Sequence, residues 1–300
     1  MNEKLKGAIY GLAVGDALGV PYEFRKRGTF RCRGMDGYGT HNQPAGTWSD
    51  DTSLTLATLE SIKRLERIDL DDIMLNFVKW YEYAAFTAHG RVFDVGGTTA
   101  AAIARYRSGM DALNCGINDR YANGNGSLMR ILPLAFVPHR QGDIYQVSAL
   151  THAHRISMSA CEIYVSIAEA LMNGQTVEDA LFTNRAIITP FYRLQNAGEL
   201  ERGEIRSTGY VVDTLEAALW CLLNTKSYKE CVLEAVNLGD DTDTVVAVAG
   251  GLAGILYGYD AIPDKWIKKL ANKELIDSCF VVRKNYKSQI SHEHLEQIEQ

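Results

Sequence analysis

The sequence predicts an all-α protein, and three observations carry that prediction. Apolar residues recur at i, i+3 and i+4 through most of the chain. The segments that carry this period are rich in Ala, Leu, Ile and Glu, which suit helices. Period-2 alternation is hard to find, Phe280-Val281-Val282 being the best short candidate for a strand. Connections are short and no low-complexity linker divides the chain, so residues 1–300 read as one domain.

Helices are expected, in order, at 3–19, 52–67, 70–85, 98–108, 127–136, 143–150, 156–173, 177–188, 209–224, 228–237, 243–258, 263–271 and 285–298, the last being a C-terminal tail from about 285. The first carries Gly7, Gly11, Gly15 and Gly19 at every fourth position, and the eleventh carries Gly250, Gly254 and Gly258 in the same way. Glycine costs ~1 kcal/mol per site in a helix, so the repetition needs a cause. Close approach of two helices is the simplest, and it would bring the ends of the chain together. Residues 20–47 form a long Gly-rich and basic loop, and loops beyond ~12–15 residues often serve as lids. A second polar loop covers 189–209.

Bulk properties narrow the function. The chain is 46% hydrophobic and 23% charged with six prolines, a globular composition. Its net charge of −6 and lack of a basic block argue against nucleic acid as the main partner. The most apolar run, Val245 to Tyr259, is shorter than the ~20 residues that span a bilayer. No signal peptide opens the sequence, and the six cysteines show no CxxC pair. A cytoplasmic protein with reduced thiols, no membrane anchor and a monomer as the default is expected.

Two acidic clusters carry the chemistry: Ser49-Asp50-Asp51-Thr52 and Asp240-Asp241-Thr242-Asp243-Thr244, each ahead of an apolar helical run. Two carboxylates about 4 Å apart repel by ~1 kcal/mol in water and ~4 kcal/mol at an effective dielectric of about 20. A cation turns that repulsion into attraction, and an all-oxygen ligand set suits Mg²⁺, Mn²⁺ or Ca²⁺ rather than Zn²⁺. The first cluster also suits an ordinary N-cap, whereas three acids within four positions exceed what capping uses. Gly124-Asn125-Gly126-Ser127 ahead of a helix exposes backbone N–H groups of the kind that bind phosphate, or is a plain turn with a Ser cap. His152 and His154, two residues apart, would not share an ion on a helix. Asp94 is either a cap or a functional carboxylate, and Glu23 begins the long loop.

Taken together, Gly11-Leu-Ala-Val-Gly-Asp-Ala-Leu-Gly19 with Glu23-Phe24, Thr47-Trp-Ser-Asp-Asp-Thr52, Gly124-Asn-Gly-Ser127, Thr151-His152 and Gly239-Asp-Asp-Thr-Asp-Thr244 resemble the ADP-ribosylglycohydrolases. Phe93-Asp94-Val95-Gly96 and the run from Ser207 to Cys221 look closest to the dinitrogenase reductase-activating branch, which removes ADP-ribose from arginine. The resemblance implies a compact multi-helix orthogonal bundle with a central dinuclear site for two divalent ions, Mg²⁺ or Mn²⁺. It implies that Ser49, Asp50, Asp51 and Asp243 hold one ion and that Asp241, Asp243 and Thr244 hold the other. Asp240 falls outside that set.

By the same matching, Glu23, Asp94 and His152 take the catalytic positions, the last two touching ribose. Gly96, Asn125, Gly126, Ser127, Met129 and Tyr210 take substrate-binding positions. The implied reaction is metal-dependent hydrolysis of the N-glycosidic bond between ADP-ribose and an arginine of a mono-ADP-ribosylated protein. Serine-linked protein, O-acetyl-ADP-ribose or a small-molecule conjugate would use the same ribose chemistry. A non-catalytic ADP-ribose-binding protein and a two-metal phosphohydrolase are the remaining alternatives.

Overall fold

The structure, a computed structural model, describes residues 3–183 and 190–280. Thirteen α-helices form within them: α1 (Glu3–Gly19), α2 (Asp50–Leu65), α3 (Leu70–Tyr83), α4 (Gly97–Arg107), α5 (Ala112–Cys115), α6 (Gln141–Ala149), α7 (Arg155–Met172), α8 (Val177–Thr183), α9 (Val211–Leu223), α10 (Tyr228–Val236), α11 (Thr242–Tyr257), α12 (Asp264–Ile267) and α13 (Lys273–Ser278). No strand forms among the described residues, only isolated bridges. None of the described helices is long and apolar enough to cross a membrane. The expected tail helix at 285–298, the end of the one at 177–188 and two residues of the strand candidate lie outside the described residues.

α1 and α11 form the central pair, buried continuously from Gly7 to Gly19 and from Thr242 to Ile255. They run antiparallel with backbones in contact. A Cβ on Gly11 would lie 2.3 Å from the Gly250 carbonyl oxygen, and one on Gly254 would lie 2.0 Å from that of Gly7. Only glycine permits this approach, which is the cause the two stripes required. Gly258 does not share it: at φ +85° it caps the end of α11, and a Cβ there would meet nothing within 4 Å. At the other end of the pair the Thr242 hydroxyl donates to the Gly19 carbonyl at 2.8 Å. The C-terminus of α1 therefore abuts the N-terminus of α11.

The segment expected as a helix over 127–136 is instead two 3₁₀ turns, Asn125–Arg130 and Leu132–Phe136. Pro133 accounts for the break, since it lacks an N–H and biases the preceding residue away from α geometry. The 189–209 loop likewise contains two 3₁₀ turns, Phe191–Glu199 and Arg202–Glu204. The long 20–47 loop is fastened rather than free. Arg27 donates to the carbonyls of Leu238, Arg202 and Ile205 at 2.5 to 2.7 Å, and Cys32 N–H donates to Asn237 at 2.8 Å. All six cysteines are buried and free.

Candidate metal centre and substrate cleft

The centre is built where α1 ends and α2 and α11 begin. Ser49 caps α2, its hydroxyl oxygen accepting the Asp51 N–H at 3.2 Å. That places Asp50 and Asp51 in the first turn, at the positive end of the helix. Asp241 occupies the N-cap position of α11 yet caps nothing. Its Oδ2 accepts from Asn125 at 2.8 Å, while its buried Oδ1 has no partner. Asp51 Oδ2 is buried and unpartnered as well. Oxygens of Asp16, Asp51 and Asp243 lie within 4.8 Å of one another, and so do those of Glu23, Asp241 and Asp243. Asp243 belongs to both trios.

These carboxylates lie in an environment that opposes their charge. Burial, reinforced by the neighbouring acids, holds Asp50, Asp51 and Asp243 well above the ordinary carboxylate range. Burial pushes Asp16 up to about 6 against hydrogen bonds from Thr52 and Ser49. Orphaned oxygens and crowded acids are what a bound hard cation resolves, and the residues fit one. The clustered acids can hold a metal.

Glu23 stands beside this cluster with its carboxylate on His41, a residue of the 3₁₀ turn Gly39–His41. Burial pushes Glu23 up to about 7, His41 pulling it down and Asp94 and Asp241 adding to the rise. The hydrogen bond to Glu23 raises His41 in turn, against its burial. Asp94 sits in a left-handed turn at φ 51°, and burial raises its carboxyl as well. Glu23, His41 and Asp94 form a third close trio.

Above the acids lies a cavity of about 380 Å³. Glu23, Asp50, Asp94, Gly96, Asn125, Gly126, Met129, His152, Asp241 and Thr244 all line it, as does the exposed ring of Phe24. Asp51 and Asp243 are buried beneath it, at 1% exposure each. The Asn125–Arg130 turn is positioned by α9 and the segment before it. Asn125 N–H donates to the Gly209 carbonyl at 3.1 Å, and Val211 N–H to Asn123 at 3.0 Å. Tyr210 opens onto an adjoining cavity of about 360 Å³ with Arg120 and Tyr121, which meets the first at Gly124.

One expected site residue turns its side chain elsewhere. The Ser127 hydroxyl lies in the core, accepting from Ser148 at 3.0 Å, so only its backbone is available near the cavity. The Ser49 hydroxyl oxygen accepts the Asp51 N–H and keeps a second lone pair. Asp240, left outside the ligand set, is exposed, and its backbone brackets Phe24 and Arg25.

Asp16 and His41 escaped the reading of the residues. Asp16 is the only charged residue between Gly7 and Tyr22. A lone carboxylate in an apolar, glycine-striped helix is costly unless partnered, and that was the available signal. His41 had no comparable mark.

The model of the ADP-ribosylglycohydrolase family matches residues 1–294. The chain belongs to the ADP-ribosylglycohydrolase family. This glycohydrolase is 37% identical over 284 residues to the ADP-ribosylarginine hydrolase Tri1 of Serratia proteamaculans (strain 568), with 92% of this chain and 77% of the relative covered. It is 32% identical over 284 residues to the ADP-ribosyl-[dinitrogen reductase] glycohydrolase of Rhodospirillum rubrum, with 91% and 92% covered. Among solved structures, an ADP-ribosylglycohydrolase-related protein complex matches with a TM-score of 0.79 at 34% identity, over 93% of this chain and 95% of that one. The ADP-ribosylglycohydrolase is thus a glycosidic hydrolase with an all-α fold.

Proposed function

We propose that this enzyme hydrolyses the N-glycosidic bond between ADP-ribose and an arginine side chain of a mono-ADP-ribosylated protein, using two divalent ions, Mg²⁺ or Mn²⁺. The observation that carries the reading is the pair of carboxylate trios sharing Asp243 beneath a cavity floored by acids and walled by a glycine turn. The name shared by two relatives at 36–37% identity, ADP-ribosylarginine hydrolase, favours arginine over other linkages, and that of the relative at 32% favours a protein substrate.

Asp50, Asp51 and Asp243, with Ser49 beside them and Asp16 behind, would hold one ion. Asp241, Asp243 and Thr244 would hold the other. When bound, such ions supply charge that orients the ribose diol and makes water acidic enough to attack at neutral pH. Glu23, held near neutrality by burial, takes or delivers the proton in that attack. Asp94 and His152 fix the ribose against the acids. The backbone N–H groups at Gly126 and Ser127 bind the diphosphate, while the Asn125 N–H stays on the Gly209 carbonyl. The adjoining cavity takes the base, for which Tyr121 and Tyr210 offer aromatic faces. A single cytoplasmic domain spanning the chain accords with the six buried free thiols.

Linkage is tested by offering arginine-linked and serine-linked ADP-ribosyl peptides side by side with Mn²⁺ or Mg²⁺. Faster release from arginine is expected. Release from serine alone would reassign the substrate while keeping the enzyme a glycohydrolase.

A further inference from the structure

Arg130 is completely buried, and among the described residues no carboxylate pairs with it. Its Nη2 donates to the Val147 carbonyl at 3.1 Å and to the Thr151 hydroxyl oxygen at 2.9 Å, while Nε and Nη1 have no partner. The guanidinium carbon lies 4.7 Å from the ring centroid of Phe77. A buried, unpaired guanidinium is expensive, and the contact to Thr151 leads from it to the cavity.

A guanidinium only donates, so Thr151 Oγ1 accepts from Arg130. Thr151 Oγ1 also lies 2.8 Å from His152 Nδ1. The single hydroxyl proton has no other acceptor among the described residues, so it goes to Nδ1, which therefore carries none of its own. The ring is neutral, because burial and then the Arg130 charge push its pKa down to about 3. One proton then remains for the imidazole, and it belongs on Nε2.

That nitrogen faces the glycine turn. A Cβ on Gly126 would lie 3.4 Å from it and one on Gly124 3.5 Å, and all three residues line the cavity. The backbone on either side of the ring is pinned, Ile117 N–H donating to the Thr151 carbonyl at 2.9 Å and Ala153 N–H to the Ile117 carbonyl at 3.0 Å.

We infer that Arg130 and Thr151 are positioning residues that lock His152 in the tautomer presenting Nε2–H to an oxygen acceptor of the ligand. The inference rests on the proposed reading of His152 as a ribose contact. With the tautomer fixed beforehand, the cavity offers a donor beside its carboxylates, and a ligand oxygen meets it without reorganisation. A swapped tautomer would present a lone pair and repel the same oxygen.

The test is a two-bond ¹H–¹⁵N correlation spectrum of histidine-labelled, substrate-free protein, with the His152 signals assigned through His152→Gln. A ring protonated at Nε2 alone is expected from pH 5 to 8. Thr151→Val should turn that signal into a tautomer mixture and weaken ADP-ribose binding about tenfold. Thr151→Ser should restore both. A wild-type proton on Nδ1 overturns the inference, and so does a Thr151→Val protein with unchanged spectrum and affinity. The spectrum needs no turnover, so failure of the relay and failure of the hydrolase reading are separate results.

Discussion

Asp16 and Thr52, 36 residues apart, are joined twice: the carboxylate accepts the Thr52 hydroxyl at 2.6 Å and its backbone N–H at 3.1 Å. The same carboxylate accepts the Ser49 N–H at 2.9 Å. α1 thus adds a carboxylate to the cap that Ser49 gives α2, and that carboxylate also belongs to a trio that could hold a metal. Asp16→Ala leaves two buried backbone donors without a partner, at about 1–3 kcal/mol each. A lower urea midpoint and little turnover at a temperature where the variant is folded are expected. A midpoint equal to wild type would show that α2 does not depend on this cap.

Asp243→Asn should behave in the opposite sense. It removes a charge crowded by Glu23, Asp51 and Asp241, so the variant in EDTA should melt no lower than wild type. Divalent metal at about a hundred times its dissociation constant stabilises the wild type by about 2.7 kcal/mol, and the variant should gain far less. Turnover should fall by at least about a hundredfold. Thermal melts with and without Mn²⁺ check this, and equal metal-induced shifts in the two proteins would count against Asp243 as a shared ligand.

The pH dependence of the metal-free protein follows from the raised carboxylates. Asp16 at about 6 and Glu23 at about 7 bind protons more tightly in the folded state than in the unfolded chain. The native protein then holds more bound protons, so stability in EDTA falls as pH rises from about 4 to about 7. Below that interval both states are protonated and the penalty vanishes. Urea midpoints at pH 5 and pH 7.5 measure the slope, and saturating metal should flatten it. A midpoint that rises with pH in EDTA would contradict the burial of these acids.

Gly11→Ala tests the α1–α11 seam. Its methyl would lie 2.3 Å from the Gly250 oxygen, a backbone atom that cannot rotate away. Overpacking costs about 1–3 kcal/mol and more where backbones must part, and a melting temperature lower by several degrees is expected. Gly142→Ala is the control, since nothing lies within 4 Å of its added methyl.

Legibility in the sequence followed the range of the interactions. The helical period is local, and most helix ends fell within two residues of their expected places. The glycine stripes were legible because each costs stability on its own helix, which forces an explanation from a partner. The second acidic cluster stood out because it exceeded the needs of a cap. Asp16 was not legible in this way, since its partners Ser49 and Thr52 lie 33 and 36 residues away. His41 meets Glu23 only because the loop turns back on itself. The helix expected over 127–136 rests on an apolar period, and Pro133 outweighs it. Ser127 lay in the right segment, but no sequence pattern indicated that its hydroxyl would turn toward Ser148.

The most direct measurement is release of free ADP-ribose from an arginine-ADP-ribosylated protein, with Mn²⁺ or Mg²⁺ and then with EDTA. Release with metal and its loss in EDTA is the predicted result. Undiminished release in EDTA, or none from a protein with metal verifiably bound, would contradict the account.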